Sequence, residues 1–283
     1  MSWWQVRFSV PRDLADAAAY LLAESLDAAV EVQDETTMSR VDEAIEVVVG
    51  LAEAPEPDLA ARINETLNAL GLPPPALSTR KHDDDNWREG WKAFFQPAVL
   101  SARLGVHPPW APAPPGVLGV VIEPGMAFGT GTHETTRASM RVLDACLADR
   151  PPLTVLDVGC GSGILSIGAA RLGHFALGVE IDPEALPNAA ENVARNGVTD
   201  RVELRQGSAD TVEGQFPVVV ANILAPILIA IAPALLARTG GELILSGMLD
   251  AQVDAVRAAF AELTLVERVD EGPWVVLRLR RDA

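Results

Sequence analysis

Two cysteines, Cys146 and Cys160, are all the thiol chemistry in this chain. They are too few and too poorly spaced for a disulfide framework or a zinc site, so no metal centre is expected. Positive charge is scarce too: 22 Lys and Arg stand against 39 Asp and Glu, a formal net charge of −17. A chain this acidic repels a phosphate backbone, which argues against direct nucleic-acid binding. The N-terminus lacks a basic segment followed by an apolar run, so no secretion signal is read. A long uninterrupted hydrophobic span is missing as well. Pro217 to Ala237 imitates one, but Asn222, Pro226 and Pro233 interrupt it. It divides into a strand, Val218–Ile223, and a helix from Pro226 to Ala237. A strand buried on both faces reads as a continuous apolar run, so this stretch is core. The expectation is a cytoplasmic protein with no membrane contact, and a monomer.

What is present suits a folded chain of one main domain plus a small one: 283 residues, 49% hydrophobic and 22% charged. The acidity is uneven. Residues 1–85 carry 17 acidic and 6 basic side chains, which is −11 of the total and leaves −6 for the remainder. An acidic front end suits a basic protein partner as well as plain solubility. Over residues 1–80, strand patterns at Trp3–Val10, Ala28–Val32, Ala44–Leu51 and near Ala76–Lys81 alternate with helical ones. The helices start after Pro11 and at Asp58, the second ending at Gly71. The order β-α-β-β-α-β is a ferredoxin-like α+β arrangement, and nothing in it looks catalytic. Residues 81–116 read as a linker. It holds an aromatic helix, with Trp87 and Trp91 one turn apart, and a stiff segment with five prolines between His107 and Gly116.

From Val117 to residue 283 the pattern is α/β. Strands are expected at Val117–Ile122, Thr154–Val158, Ala176–Ile181, Val202–Gln206, Val218–Ile223 and Glu242–Ser246, with helices between them. Such alternation makes a mostly parallel sheet covered on both faces. Two closing strands, Leu263–Val269 and Trp274–Arg280, turn at Gly272-Pro273 and allow an antiparallel edge.

The chemistry concentrates where Thr154-Val-Leu-Asp-Val-Gly-Cys-Gly-Ser-Gly163 leaves a strand and enters a helix. Glycines there permit φ > 0 and close approach of a ligand to the backbone, and the helix start offers unpaired N–H groups. A third glycine in dinucleotide spacing is lacking, because Ile164 occupies that position, and this disfavours a dehydrogenase. Asp157, two residues before Gly159, would repel a pyrophosphate but suits a ligand with a cationic amino-acid part, as S-adenosylmethionine has. Gly159 and Gly161 are assigned to that cofactor. Glu180 ends the next strand, 21 residues beyond Gly159, where a carboxylate can accept ribose hydroxyls. Asp182 precedes Pro183 as a helix cap with possible adenosine contact, and Ser208 closes the third strand where an adenine loop would lie. Asn222 ends the fourth strand. Its amide oxygen can accept a hydrogen bond from an incoming amine and aim the nitrogen lone pair at the methyl carbon, so Asn222 is the candidate catalytic residue as well as a cofactor contact.

The segment Ile122-Glu-Pro-Gly-Met-Ala-Phe-Gly-Thr-Gly-Thr-His-Glu-Thr-Thr-Arg137, with the glycine turn, Val-Glu-Ile-Asp-Pro183 and Asn222-Ile-Leu-Ala225 at matching spacings, resembles the bacterial ribosomal protein L11 methyltransferase family. The resemblance covers residues 83–283 in letters and the front 80 more in layout. It implies a ferredoxin-like domain that recognises the substrate protein, then a seven-stranded Rossmann-like class I methyltransferase domain that binds S-adenosylmethionine. It implies cofactor contacts at Thr136, Gly159, position 180 and Asn222. Many members carry Asp at position 180; Glu180 supplies the same carboxylate. It further implies methylation of α-amino and lysine ε-amino groups of ribosomal protein L11.

The loop residues also make sense by themselves. Small residues 129–132 can cover a cofactor from beside Phe128, and Thr135 or Thr136 can bond its methionyl end. His133 invites assignment as a base, but a histidine beside a helix start is more often a cap. An α-amine has a pKa of about 8 and a lysine amine about 10.4, so lysine faces the larger deprotonation cost. A pocket that desolvates the amine and offers acceptors lowers that cost. The rival readings are a class I methyltransferase for another protein, a small molecule or RNA, and a non-catalytic cofactor-binding adaptor. Asn222-Ile-Leu-Ala225 lacks the Pro-Pro-aromatic run of the enzymes that methylate adenine or glutamine amides, and the intact constellation argues against an adaptor.

Overall fold

The computed structural model describes residues 3–26, 28–33, 44–51, 54–82, 95–123 and 133–282. Chain contacts divide it into two units, Met1–Phe94 and Phe95–Ala283.

In the first unit, Val6, Phe8 and Val10 point to the same side of β1 (Trp3–Pro11) and are buried, as period-2 alternation requires. α1 (Ala15–Leu26) and α2 (Leu59–Asn68) are the two α-helices among the described residues of this unit. Leu22, Ile63 and Leu67 from them enter the core that Val47 and Val49 of β3 (Ala44–Leu51) also line. With β2 (Ala29–Gln33) and β4 (Ser78–His82) the sheet runs β2-β3-β1-β4, every pair antiparallel. This is the ferredoxin-like order. Gly71, with φ of 72°, stands just past α2 in the left-handed region that ends many helices.

The second unit begins earlier than the sequence pattern suggests. Residues 95–116 are not a connector here. β5 (Ala98–Val99) and β6 (Leu104–His107) join β7 (Leu118–Val121) in a three-stranded sheet, β6 and β7 running parallel. The strand expected at 117–122 therefore belongs to this small sheet, not to the large one. Leu104, Val106, Val120 and Ile122 carry it into the main core. Trp87 and Trp91 lie outside the described residues.

The large sheet has seven strands: β8 (Thr154–Val158), β9 (Phe175–Glu180), β10 (Val202–Gln206), β11 (Phe216–Asn222), β12 (Thr239–Leu249), β13 (Thr264–Glu271) and β14 (Trp274–Arg280). Their order is β10-β9-β8-β11-β12-β14-β13, and β14 is antiparallel to both neighbours. α3 (Glu134–Leu147), α4 (Ile164–Arg171) and α5 (Ala185–Arg195) supply one apolar core. α6 (Ala225–Ala230), α7 (Ala232–Arg238) and α8 (Val253–Ala259) supply another. The single helix expected from 226 to 237 is two, because Pro233 in the first turn of α7 has no N–H to continue α6, and Ile231 leaves helical geometry at φ −96°, ψ 7°. No helix among the described residues is long and apolar enough to cross a membrane.

Strand order reverses between β8 and β11. Their carboxyl ends flank the crevice where open α/β sheets bind ligands.

Candidate active site

β8 delivers the chain to a turn in which Gly159, Gly161 and Gly163 have φ of 71°, 50° and 79°. Only glycine takes such a succession without strain. The turn is anchored on the neighbouring strand, since the Gly159 and Cys160 amides both donate to the Val179 carbonyl at 2.9 and 3.1 Å. Packing excludes a side chain as well: a Cβ on Gly159 would stand 2.5 Å from Ile223 Cγ2. Ile223 follows Asn222, so this contact sets the end of β11 against the glycine turn.

Glu180, 9% exposed at the end of β9, accepts the Gly161 amide at 2.9 Å on Oε2 and the Asp182 amide at 3.1 Å on Oε1. Each carboxylate oxygen keeps a second lone pair for a hydroxyl donor. The Gly207 amide donates to the Glu180 carbonyl at 2.8 Å, which places Ser208 beside this strand end. Ser208 is half-buried, and its amide donates to Thr211 Oγ1 at 3.2 Å. Asp182 is exposed, and its carboxylate accepts the Glu184 amide at 2.8 Å. It does not cap α5 directly. The helix begins at Ala185, two residues later than the Pro183 signal suggests, with Glu184 as its cap.

Asp157 is fully buried and turned toward α4, its Oδ2 accepting the Ser166 amide at 3.0 Å and hydroxyl at 2.7 Å. Burial pushes its carboxyl up to about 6; the Ser166 bonds pull the other way and the nearby Glu180 charge adds to the rise. It is therefore a strained anion at neutral pH, suited to a cationic neighbour. Cys160 lies under the same influences. Burial, then Asp157 and Glu180, push its thiol up, which disfavours the thiolate form.

Across the crevice, His133 caps α3: its Nδ1 accepts the Thr135 amide at 3.2 Å and lies 2.8 Å from Thr135 Oγ1. Burial, with a smaller push from Arg137, lowers the imidazole to about 4. A neutral ring with an accepting Nδ1 leaves the Thr135 hydroxyl as the donor of that pair. Thr135 Oγ1 can then accept, and Asn222 Nδ2 donates to it at 3.4 Å. This relay decides which way the Asn222 amide faces. Its Oδ1 is left buried with no hydrogen-bond partner among the described residues, as is Thr136 Oγ1 on the same helix turn. Ser246 of β12, paired with Asn222 in the sheet, has an unpartnered buried hydroxyl too.

The structure thus gathers Thr135, Thr136 and Asn222 on one side and Asp157, Gly159, Gly161 and Glu180 on the other, with Asp182 and Ser208 at the far rim. Phe128 lies outside the described residues. The residues fit S-adenosylmethionine: a positive-φ cradle, a pinned carboxylate with spare lone pairs, a buried anion and orphaned acceptors occupy one edge. Among the described residues no group of three or more His, Cys, Asp or Glu could hold a metal.

A family model described as "Ribosomal protein L11 methyltransferase (PrmA)" matches residues 2–282. The chain belongs to the ribosomal protein L11 methyltransferase family. The family member of Pelobacter propionicus is 39% identical over 310 aligned residues, covering 99% of this chain and 98% of the relative. That of Dechloromonas aromatica is 44% identical over 237 residues, covering 81% and 78%. The crystal structure of a ribosomal protein L11 methylase from Lactobacillus delbrueckii subsp. bulgaricus superimposes with a TM-score of 0.61 at 34% identity, covering 66% of this chain and all of that one. The hydrogen bonds also bring forward residues that pattern reading passed over. Asn192 of α5 and its C-cap Asn196 are buried and bonded to the backbone at Glu123 and Val121, and only their spacing of four could have hinted at it.

Proposed function

We propose that this chain transfers methyl groups from S-adenosylmethionine to α-amino and lysine ε-amino groups of ribosomal protein L11. When bound, S-adenosylmethionine supplies an electrophilic methyl carbon on a sulfonium. Glu180 holds the ribose, the 159–163 turn presents its backbone to the methionyl part, and the Asp157 charge favours the cationic donor. Thr135, Thr136, Asp182 and Ser208 complete the cofactor contacts, with Phe128 a further candidate from its sequence position.

The observation that carries the reading is the Asn222 amide oxygen, buried and without a hydrogen-bond partner among the described residues where β11 meets the glycine turn. A buried acceptor left unbonded costs about 1–3 kcal/mol, so its natural partner is a donor that arrives from outside. An amine N–H bonded to Oδ1 has its lone pair directed away from that bond, toward the cofactor side. Burial also disfavours the ammonium form, which lowers the amine pKa and raises the reactive fraction. No residue needs to act as a strong base: His133 is committed to the cap and the relay. Orientation supplies much of the acceleration.

The first unit is the proposed recognition module for the substrate protein. Its support is the charge of −11 over residues 1–85. A methylation rate on ribosomal protein L11 that falls with added salt, while cofactor affinity holds, is the signature expected of it. The same reading makes the protein a cytoplasmic monomer without direct nucleic-acid contact, supported by the overall acidity.

The test is incubation with methyl-labelled S-adenosylmethionine and unmethylated large-subunit ribosomal proteins, followed by mass spectrometry. Label confined to ribosomal protein L11, in steps of one methyl group on amine nitrogens, is expected. Cofactor binding with no transfer to that protein would contradict the proposal.

A further inference from the structure

Outside the residues assigned above, Asn188 and Asn192 of α5 and its C-cap Asn196 stand at intervals of four, one stripe along the helix. Asparagine is a poor helix former, and burying its amide is costly unless every group is bonded. Asn192 is 0% exposed and Asn196 8%. Both are bonded to backbone groups of other segments. Asn196 Oδ1 accepts the Val121 amide at 2.8 Å and its Nδ2 donates to the Val121 carbonyl at 2.7 Å, so a helix side chain acts as strand partner to the end of β7. Asn192 Oδ1 accepts the Glu123 amide at 2.9 Å. Its Nδ2 donates to the Ser162 carbonyl at 3.1 Å and reaches Asn188 Oδ1 at 3.3 Å. Ser162 sits between Gly161 and Gly163, inside the turn assigned to the cofactor. Arg195, one residue short of Asn196, adds an ion pair to the Glu123 carboxylate at 3.0 Å.

We propose that Asn192 is a positioning residue for methyl transfer: its amide sets the glycine turn through the Ser162 carbonyl and ties that setting to the backbone at Glu123. The proposal rests on the cofactor reading of the turn. Three glycines with positive φ leave the backbone many alternatives, so something outside the turn must select one. Glu180 holds the Gly161 amide from the β9 side. Asn192 holds the next carbonyl from the α5 side, so the peptide groups that face the cofactor are gripped from two directions. One group must donate and accept at once, over a fixed distance. Aspartate cannot donate, and glutamine is one methylene too long for a fully buried slot. Asn196, the C-cap of α5, is the built-in control: its side chain bonds to Val121 and, at 2.8 Å, to the Asn192 backbone carbonyl, but to no group of the glycine turn.

In the full-length chain, S-adenosylmethionine affinity is measured by calorimetry and amide exchange by NMR for the wild type, Asn192→Ala, Asn192→Asp and Asn196→Ala. Both Asn192 variants should bind about tenfold or more weakly, with faster exchange in the 161–163 turn. Asn192→Asp keeps the acceptor for Glu123, so protection of that amide should persist while affinity falls. Asn196→Ala should hold its affinity within about twofold even where its melting temperature drops as far, because it touches no group of the turn and leaves the Asn192 side chain in place. Should Asn192→Ala not fold, the isosteric Asn192→Asp decides. Equal loss of affinity in Asn192→Ala and Asn196→Ala, or undiminished affinity in Asn192→Asp, would overturn the proposal. A wild type that fails to bind S-adenosylmethionine would instead remove the cofactor reading, and this inference with it.

Discussion

The two halves of the sheet edge are built on opposite principles. On the β8–β9 side the polar groups are held by the protein itself: Glu180 is gripped by two amides and Asp157 by Ser166. On the β11–α3 side, Asn222 Oδ1, Thr136 Oγ1 and Ser246 Oγ are buried without a hydrogen-bond partner among the described residues. A satisfied group is a fixed point, and satisfaction is what keeps a cradle in one shape while glycines give it freedom to deform. An unsatisfied buried group is a standing cost that disappears when a partner arrives. The cradle half should therefore govern how tightly cofactor binds, and the other half how fast the methyl moves.

The largest expected break of that contrast is at Asn222. Asn222→Ala should slow methyl transfer by about 10²–10³, the usual cost of removing one preorganised polar group from a reacting centre. Its folding stability should change by no more than about 1 kcal/mol, since Oδ1 has no partner among the described residues and the one bond lost is the long 3.4 Å contact from Nδ2 to Thr135 Oγ1. Chemical denaturation and single-turnover kinetics on the same preparations read both.

Asp157→Asn comes next, and it should move two properties in opposite directions. The folded carboxyl titrates at about 6 against an ordinary value of 3.8, so the wild type carries a destabilising buried charge above pH 6. The neutral amide should stabilise the cofactor-free protein by up to about 3 kcal/mol near pH 7.5, while weakening cofactor binding. The sign follows from the raised value. As pH falls through 6 toward 4 the wild-type carboxyl takes up its proton in the folded state, and the advantage of the variant should shrink. Paired melting curves across that range check it.

Glu180→Gln removes one charged acceptor from the cradle. Cofactor affinity should fall about thirtyfold, on the order of 2 kcal/mol, measurable by calorimetry. The smallest effect belongs to His133→Ala, which deletes a cap worth about 1 kcal/mol. Here the folded value of about 4 lies below the ordinary 6.5, so the contribution is fully present above pH 6.5. It should fade as pH drops toward 4, as the unfolded chain takes up the proton first. The pH–rate profile above 6.5 should show no limb from this residue.

Much of the cradle was legible in the letters, because glycine at a strand end, a carboxylate at the next strand end and a proline near a helix start each have a local cause. Asn222 was legible for the same reason: a polar residue interrupts an otherwise apolar buried strand. What the letters hid depends on distant partners. The strand at Leu118–Val121 shows its alternation but not that its neighbour is Leu104–His107, so the pattern alone places it in the large sheet and not the small one. Ile231 looks like helix interior until Pro233 is seen to start a new one. Asn192 reads as an ordinary polar helix residue, since nothing in its neighbours reveals that it is buried against Ser162 and Glu123. His133 invited a catalytic role from its chemistry; its cap geometry shows that it orients Thr135 and, through it, Asn222.

The division of labour across the sheet edge is tested most directly by single-turnover methyl transfer to ribosomal protein L11, measured at saturating S-adenosylmethionine for Asn222→Ala and Glu180→Gln side by side. Glu180→Gln should recover nearly the wild-type rate once the cofactor is saturating, and Asn222→Ala should remain slow by about 10² or more. Recovery of Asn222→Ala at saturation, or a Glu180→Gln rate that stays equally low, would contradict the account.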